Sequence, residues 1–297
     1  MVGTAHALCP AMTSLPPSLL SRRPFGTCSS MHRCMVQRVS ALSNRAGASR
    51  PCRRRCLAAA AAGDSAPPPL PVQPGQPAVK VCGVTNPEDA EAAAAAGAHL
   101  IGMILWPRAK RSVGGALAAD IAAAARRHGA EPVGVFVDED AATIARVCAE
   151  TGMRVAQLHG EGARAALPDL PADLAVIYVL HADKAGNVQT PLPPAGSRQP
   201  QWLIVDGLQG GSGEAFDWHQ LRTQAAGLAP HSSHGWLLAG GLTPESVAEA
   251  IATAGPTGVD VSSGVCGPDG LKKDLGKVQR YCSSALEAFQ AAAVGSA

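Results

Sequence analysis

The first 63 residues contain no acidic side chain and no lysine, yet they carry nine arginines; the first carboxylate is Asp64. They also lack the apolar core of about 7–15 residues that a secretory signal needs, which excludes that kind of leader. An Arg-rich, Ser-rich, acid-free N-terminus has the composition of an organelle transit peptide. A disordered basic arm for nucleic acid is the competing reading. The rest of the chain argues against it: removing the nine arginines leaves 16 basic residues against 23 acidic ones, a net charge of −7, with no second basic surface to continue such an arm. Residues 1–63 are therefore expected to be a disordered transit segment. The stretch from Leu57 to Pro77, LAAAAAGDSAPPPLPVQPGQP, contains the cleavage region and then a Pro-rich linker, 64–77, that packs no core.

Other absences narrow the body of the chain, 78–297. It holds four cysteines, Cys82, Cys148, Cys266 and Cys282, irregularly spaced and without a CxxC pair. That excludes a disulfide framework or a cysteine zinc site and points to a reducing compartment. No histidine has an i,i+4 histidine partner, and His231–His234 (HSSH) has no neighbouring carboxylate, so no metal is expected. No run of about 18 apolar residues exists, so no membrane span is expected. No GxGxxG turn follows the first apolar run, VKVCGVTNPEDA, which removes the main signature of a dinucleotide-binding open sheet.

What is present is an alternation. Short β-branched runs (AVKVCGV, HLIGMIL, PVGVFV, RVAQLH, LAVIYVL, QWLIVDG, GWLLAGG, TGVDVSSG) alternate with Ala-rich helical runs. Helix-start signals recur: Asn86-Pro87 with Glu88 and Asp89 behind them, and Thr243-Pro244 before the seventh helix. Eight units in one direction, each strand apolar on both faces, imply an α/β fold with a parallel sheet covered by helices. Eight in about 220 residues favours a single-domain (β/α)8 TIM barrel. The fifth unit breaks the pattern. Residues 181–200, HADKAGNVQTPLPPAGSRQP, are too rich in Pro and Gly for a normal helix, so the fifth helix should be short or missing.

Barrel enzymes place their chemistry at the C-terminal strand ends. Strand one ends in Cys82, strand two leads to Arg111, strand four ends in Gln157 and His159, and strand six ends in Asp206. Strand seven ends in Gly240-Gly241, and strand eight carries Asp260, Ser262, Ser263 and Gly264. Two glycine corners on adjacent strands, beside the start of a helix, offer backbone N–H donors at the positive end of a helix dipole; this is an anion site, and phosphate is the usual ligand there. A cysteine and a carboxylate across a barrel mouth can act as base and acid. A lone thiol near pKa 8.5 is mostly protonated at neutral pH and needs activation; Lys80, two residues earlier on the same face, is a candidate for supplying it. Arg111 has the geometry to fork onto a carboxylate, although charge runs such as Arg108-Lys110-Arg111 are usually solvated.

Seven segments in order, VKVCGVTNPEDA, GMILWPRAKRSV, PVGVFVDED, VAQLHG, DGLQGGSGEAFDW, WLLAGGLTPESV and VDVSSGVCGPDGLKKD, resemble the phosphoribosylanthranilate isomerases, most closely the plant plastid type. The resemblance runs from Ala78 to the end of the chain. It implies an Amadori rearrangement of N-(5-phosphoribosyl)anthranilate in tryptophan biosynthesis, without a cofactor. It assigns Cys82 as general base and Asp206 as general acid. Arg111 would face the anthranilate carboxylate; Gly241, Ser263 and Gly264 would cradle the phosphate; His159 and Asp260 would line the sugar site. A small phosphoribosyl substrate, no nucleic acid, no membrane, a monofunctional monomer and a plastid stromal location follow as expectations. Glu214, where many relatives have Lys, and the short loop before the Gly-Gly-Ser-Gly run are departures. Another phosphosugar-converting barrel (an epimerase or an indole-glycerol-phosphate synthase-like lyase) and a non-catalytic phosphometabolite-binding barrel are the alternatives.

Overall fold

The computed structural model describes residues 69–194, 196–207 and 216–295. The expected transit segment, the Gly-Gly-Ser-Gly run and Glu214 lie outside the described residues.

Eight strands close into one all-parallel barrel in chain order: β1 (Ala78–Val81), β2 (Leu100–Ile104), β3 (Glu131–Phe136), β4 (Val155–Leu158), β5 (Ala175–Ala182), β6 (Trp202–Gly207), β7 (Trp236–Leu238) and β8 (Gly258–Val261). Helices α1 (Pro87–Ala95), α2 (Gly115–Arg127), α3 (Ala141–Thr151), α4 (Glu161–Ala165), α5 (Trp218–Leu228), α6 (Val247–Ala254) and α7 (Leu275–Gly295) cover it. The expected (β/α)8 barrel is what the chain forms. Closure leaves no sheet edge, because β8 pairs with β1 along four residues, from Ala78 opposite Gly258 to Val81 opposite Val261.

Local chemistry sets the helix starts. The Asn86 side chain accepts the Asp89 N–H at 2.8 Å at the head of α1, and Asp140 accepts the Thr143 N–H at 2.8 Å at the head of α3; each satisfies a donor that the helix leaves open. Regular α6 begins at Val247 rather than at Pro244. Thr243 and Ser246 still form a reciprocal cap before it: Ser246 Oγ accepts the Thr243 N–H at 3.0 Å, and Thr243 Oγ1 accepts the Ser246 N–H at 3.3 Å.

Between β5 and β6 no helix occurs among the described residues. An antiparallel bridge pairs Ala182 with Val188, and the Asp183 side chain accepts the Asn187 N–H at 2.9 Å. Arg198 then donates to the carbonyls of Pro171 (2.6 Å) and Ala172 (3.1 Å), holding the segment without helical structure.

Two apolar layers account for stability. One lies between strands and helices. The other fills the barrel with alternate strand residues, including Leu100, Val133, Val155, Ile177, Trp202, Ile204 and Leu237. Val72 belongs to this inner cluster at 1% exposure, with Leu70 packed beside it. The expectation that 64–77 packs no core is therefore corrected for its described part. The pattern that hides this is a pair of apolar residues, Leu70 and Val72, set among prolines in a stretch too short to show a period.

Candidate active site

Period-two alternation decides which strand residues face the barrel axis. On β1, Ala78, Lys80 and then Cys82 follow one another on that face. Lys80 is a register partner of Asp260 on β8, and its ammonium meets the Asp260 carboxylate at 2.9 Å with Lys80 fully buried. Burial alone would lower the proton affinity of Lys80, but Asp260 and Cys82 outweigh it and hold the lysine charged, above its usual range. Gly102 on β2 leaves the room: a Cβ there would stand 2.7 Å from Cys82 Sγ and 3.1 Å from Lys80 Nζ.

Cys82 is pinned at its own peptide. Its N–H donates to Val261 O at 2.8 Å. Its carbonyl accepts from Ser262 Oγ at 3.1 Å and from Lys273 Nζ at 2.7 Å. The chain then turns through Gly83 at φ 68°. A side chain at Gly83 would be strained and would put a Cβ 2.7 Å from Arg111 Nε. Burial pushes the Cys82 thiol above its usual value; Lys80 pulls in the opposite direction without overcoming it. The Lys80 charge favours the thiolate but does not by itself make the thiol acidic.

Asp206 stands at the end of β6. Desolvation, with the nearby Asp260 charge adding to it, raises its carboxyl to about 6, against the N–H of Gly207, which donates to Oδ1 at 2.8 Å. The glycine corner after β7 makes space for this group: a Cβ at Gly240 (φ 85°) would fall 3.1 Å from Asp206 Oδ1 and 3.0 Å from the Phe216 ring.

Cys82 and Asp206 line one cavity of about 410 Å³, and Arg111, His159 and Asp260 line it with them. Arg111 Nη2 donates to Ser262 Oγ at 3.0 Å and Nη1 to Gly270 O at 3.2 Å. Its buried Nε has no hydrogen-bond partner among the described residues. His159 sits edge-on to His181 with ring centroids 5.1 Å apart. Burial, with the His181, Lys80 and Arg164 charges adding to it, lowers His159 to about 3, so the ring is neutral. A larger groove of about 550 Å³ lies between α4 and the β5–β6 connection, but no buried acid and base face each other there.

The other expected residues form a neighbouring corner. Gly241 has φ 68°, and the one-turn 3-10 helix Ser263–Val265 follows β8. A Cβ at Gly264 would lie 2.0 Å from Leu242 O, so only glycine permits this approach. No hydrogen bond among the described residues occupies the Gly241 N–H. Gly241, Ser263 and Gly264 do not line the 410 Å³ cavity among the described residues.

Reading by sequence alone missed Lys273. It lies in a doublet, Lys272-Lys273, that resembles a solvated charge run, yet Lys273 is 6% exposed and reaches the Cys82 carbonyl.

A family model described as N-(5'-phosphoribosyl)anthranilate (PRA) isomerase matches residues 79–284. The chain belongs to the N-(5'-phosphoribosyl)anthranilate isomerase family. It is an aldose–ketose isomerase of tryptophan biosynthesis. Among relatives, it is 44% identical over 209 residues to N-(5'-phosphoribosyl)anthranilate isomerase 1, chloroplastic, from Arabidopsis thaliana, covering 70% of this chain and 74% of that one. It is 40% identical over 209 residues to the isomerase of Chlamydia felis, covering 70% and 96%. The solved phosphoribosyl anthranilate isomerase from Thermus thermophilus superposes with a TM-score of 0.58 at 30% identity, over 71% of this chain and 98% of that one. A second family structure, in complex with reduced 1-(o-carboxyphenylamino)-1-deoxyribulose 5-phosphate, gives 0.57 at 27% identity, over 71% and 100%.

Proposed function

We propose that Cys82 and Asp206 are the base and the acid of the Amadori rearrangement of N-(5-phosphoribosyl)anthranilate. The observation that carries this reading is the single cavity of about 410 Å³ onto which both side chains open.

Protonated Asp206 gives its proton to the ribose ring oxygen. The C1′–O bond breaks towards that oxygen, and the anilinic nitrogen supplies its lone pair to form an iminium cation. The Cys82 thiolate removes the C2′ proton, and the C–H electrons neutralise the iminium, leaving an enolamine. Tautomerisation gives the ketose. Every step is a proton transfer balanced between substrate, thiol and carboxyl, so the sequence of steps calls for no cofactor.

The raised Asp206 carboxyl, about 6, suits an acid that must hold a proton near neutrality. The Cys82 thiol, pushed up by burial, suits a base strong enough to accept a carbon-bound proton, at the cost of a small thiolate population at neutral pH. Arg111, with its unpartnered Nε, is the receptor for the anthranilate carboxylate. The Gly241–Gly264 corner takes the phosphate through backbone N–H groups. Gripping both anionic ends fixes the ribose between acid and base, which is where positioning accelerates a proton transfer. Neutral His159 faces a sugar hydroxyl, and Asp260 keeps Lys80 charged below the thiol.

Complementation of a tryptophan auxotroph lacking the isomerase tests this. The wild-type chain should restore growth, and Cys82→Ser and Asp206→Asn should not; growth with either variant removes the mechanism. Loss of substrate fluorescence with purified protein is the direct assay.

Residues 1–63 act, in this reading, as a plastid transit segment, 64–77 as the linker behind it and 78–297 as the isomerase domain working in the stroma. The composition of 1–63 and the chloroplastic names of the Arabidopsis relatives support it. Import into isolated chloroplasts should yield a shortened, protease-protected product. A monomer is supported by the scatter of large exposed apolar residues: among the described residues these are Leu117, Leu271, Leu275 and Val294. Light scattering at the dimer mass would refute it.

A further inference from the structure

A lysine buried without a carboxylate is costly, because desolvation penalises the charge and nothing of opposite sign offsets it. Lys273 comes close to that position: no carboxylate is in direct contact with its ammonium among the described residues, although the buried Asp260 carboxylate feels its charge. It is 6% exposed, and no ion pair to it occurs among the described residues. Burial lowers its affinity for a proton, and Arg111 adds to this, while the Cys266 and Cys82 thiols oppose it. Three acceptors surround the ammonium: Cys82 O at 2.7 Å, Ser262 O at 2.9 Å and Cys266 Sγ at 3.5 Å. Two of them are the carbonyls at the mouths of β1 and β8, whose Cα atoms are paired up to Val81 and Val261 and no further.

The lysine is itself held from behind. Its N–H donates to Asp89 Oδ2 at 2.8 Å. The same carboxylate oxygen accepts from Asn86 Nδ2 at 2.8 Å, and Asn86 caps α1. An antiparallel bridge between Cys266 and Lys273 closes the loop. The ammonium thus has a fixed anchor and fixed targets, 191 residues apart in sequence for the Cys82 carbonyl.

We propose that Lys273 is a positioning residue for the reaction: its ammonium clamps the Cys82 and Ser262 carbonyls and so holds the ends of β1 and β8 in the relation that aims the Cys82 thiol into the cavity. Ser262 Oγ on the same carbonyl, and Arg111 on Ser262 Oγ, extend the clamp to the carboxylate receptor. The proposal rests on Cys82 being the base. Lys273 also lowers the proton affinity of the thiol, so its removal should move the thiol further from ionisation.

The test uses Lys273→Met, which keeps the chain length and removes the charge, with exposed Lys272→Met as control. Turnover is followed by substrate fluorescence, and alkylation of Cys82 by iodoacetamide is followed against pH with the modified peptide identified by mass. For a displaced reacting group, kcat should fall by roughly 10–100-fold with KM within about threefold, and the midpoint of Cys82 alkylation should move to higher pH. Lys273→Arg keeps the charge but carries it further out, and should lose less, several-fold. A Met variant whose kcat and alkylation midpoint match wild type overturns the inference, as does one that only lowers Tm. Should the Met variant fail to fold, Lys273→Arg decides by turnover, and wild-type kcat in that variant overturns the clamp. Activity surviving in Cys82→Ser would instead overturn the base assignment, whatever Lys273 does.

Discussion

Replacing Asp206 by Asn should make the protein more stable and inactive together. The folded carboxyl titrates at about 6 rather than the usual 3.8, chiefly because burial disfavours its charge. In the window from about pH 4 to 6 the folded chain therefore keeps a proton that the unfolded chain has released, and stability falls as pH rises through it. Below that window both states are protonated and Asp206 contributes nothing. Above it the loss is complete, on the order of 3 kcal/mol at 1.36 kcal/mol per pH unit. Asn cannot ionise and still offers Oδ1 to the Gly207 N–H, which the carboxylate accepts at 2.8 Å. The variant should therefore gain roughly 1–3 kcal/mol at pH 8, where each kcal/mol is about 2–4 °C in Tm for a domain of this size. Activity should fall by about 10²–10⁴-fold with the loss of the acid. The assay is thermal unfolding of both proteins from pH 4 to pH 8. A variant less stable than wild type at pH 8, or a difference equal at pH 4 and pH 8, would refute the reasoning, because either result means that the carboxyl carries no buried charge in the folded protein.

Arg111→Met should raise KM by about 10–100-fold, the equivalent of a charged hydrogen bond of roughly 1.5–3 kcal/mol, and change kcat little; a loss confined to kcat would move Arg111 from substrate binding to another role. Gly264→Ala forces a Cβ to within 2.0 Å of Leu242 O and should cost at least about 1–3 kcal/mol in denaturant unfolding while weakening competitive inhibition by inorganic phosphate; unchanged stability would mean that the corner yields freely. Val72→Ala should cost on the order of 1–3 kcal/mol through the cavity left in the barrel floor, with kcat and KM unaltered, read by thermal unfolding and steady-state kinetics.

Much of the site was legible because a barrel makes sequence position informative. Once eight alternating units are counted, the last residue of each strand lies at the catalytic face, so Cys82, Asp206 and Asp260 can be named without coordinates. Alternation also places Lys80 on the face of Cys82. The fifth unit was legible for the opposite reason: its prolines and glycines forbid a regular helix, and none forms among its described residues. Lys273 escaped because a lysine doublet in a loop reads as solvent-exposed, and nothing local says that one of the two turns inward. Val72 escaped because it and Leu70 stand among prolines in a stretch too short to show a period.

The sequence by itself determined the element order, the starts of α1 and α3, the direction in which each strand side chain points and hence the set of groups available for chemistry, since these follow from local backbone and capping preferences and from period-two alternation. Tertiary structure alone decided what those groups became. Closure of β8 onto β1 set Lys80 against Asp260 across 180 residues, brought Lys273 beneath the base, and withdrew water from Asp206 and Cys82 until one carboxyl rose to about 6 and one thiol above its usual value. Proton affinity depends on what surrounds a group in three dimensions, and that environment exists only once the barrel has closed.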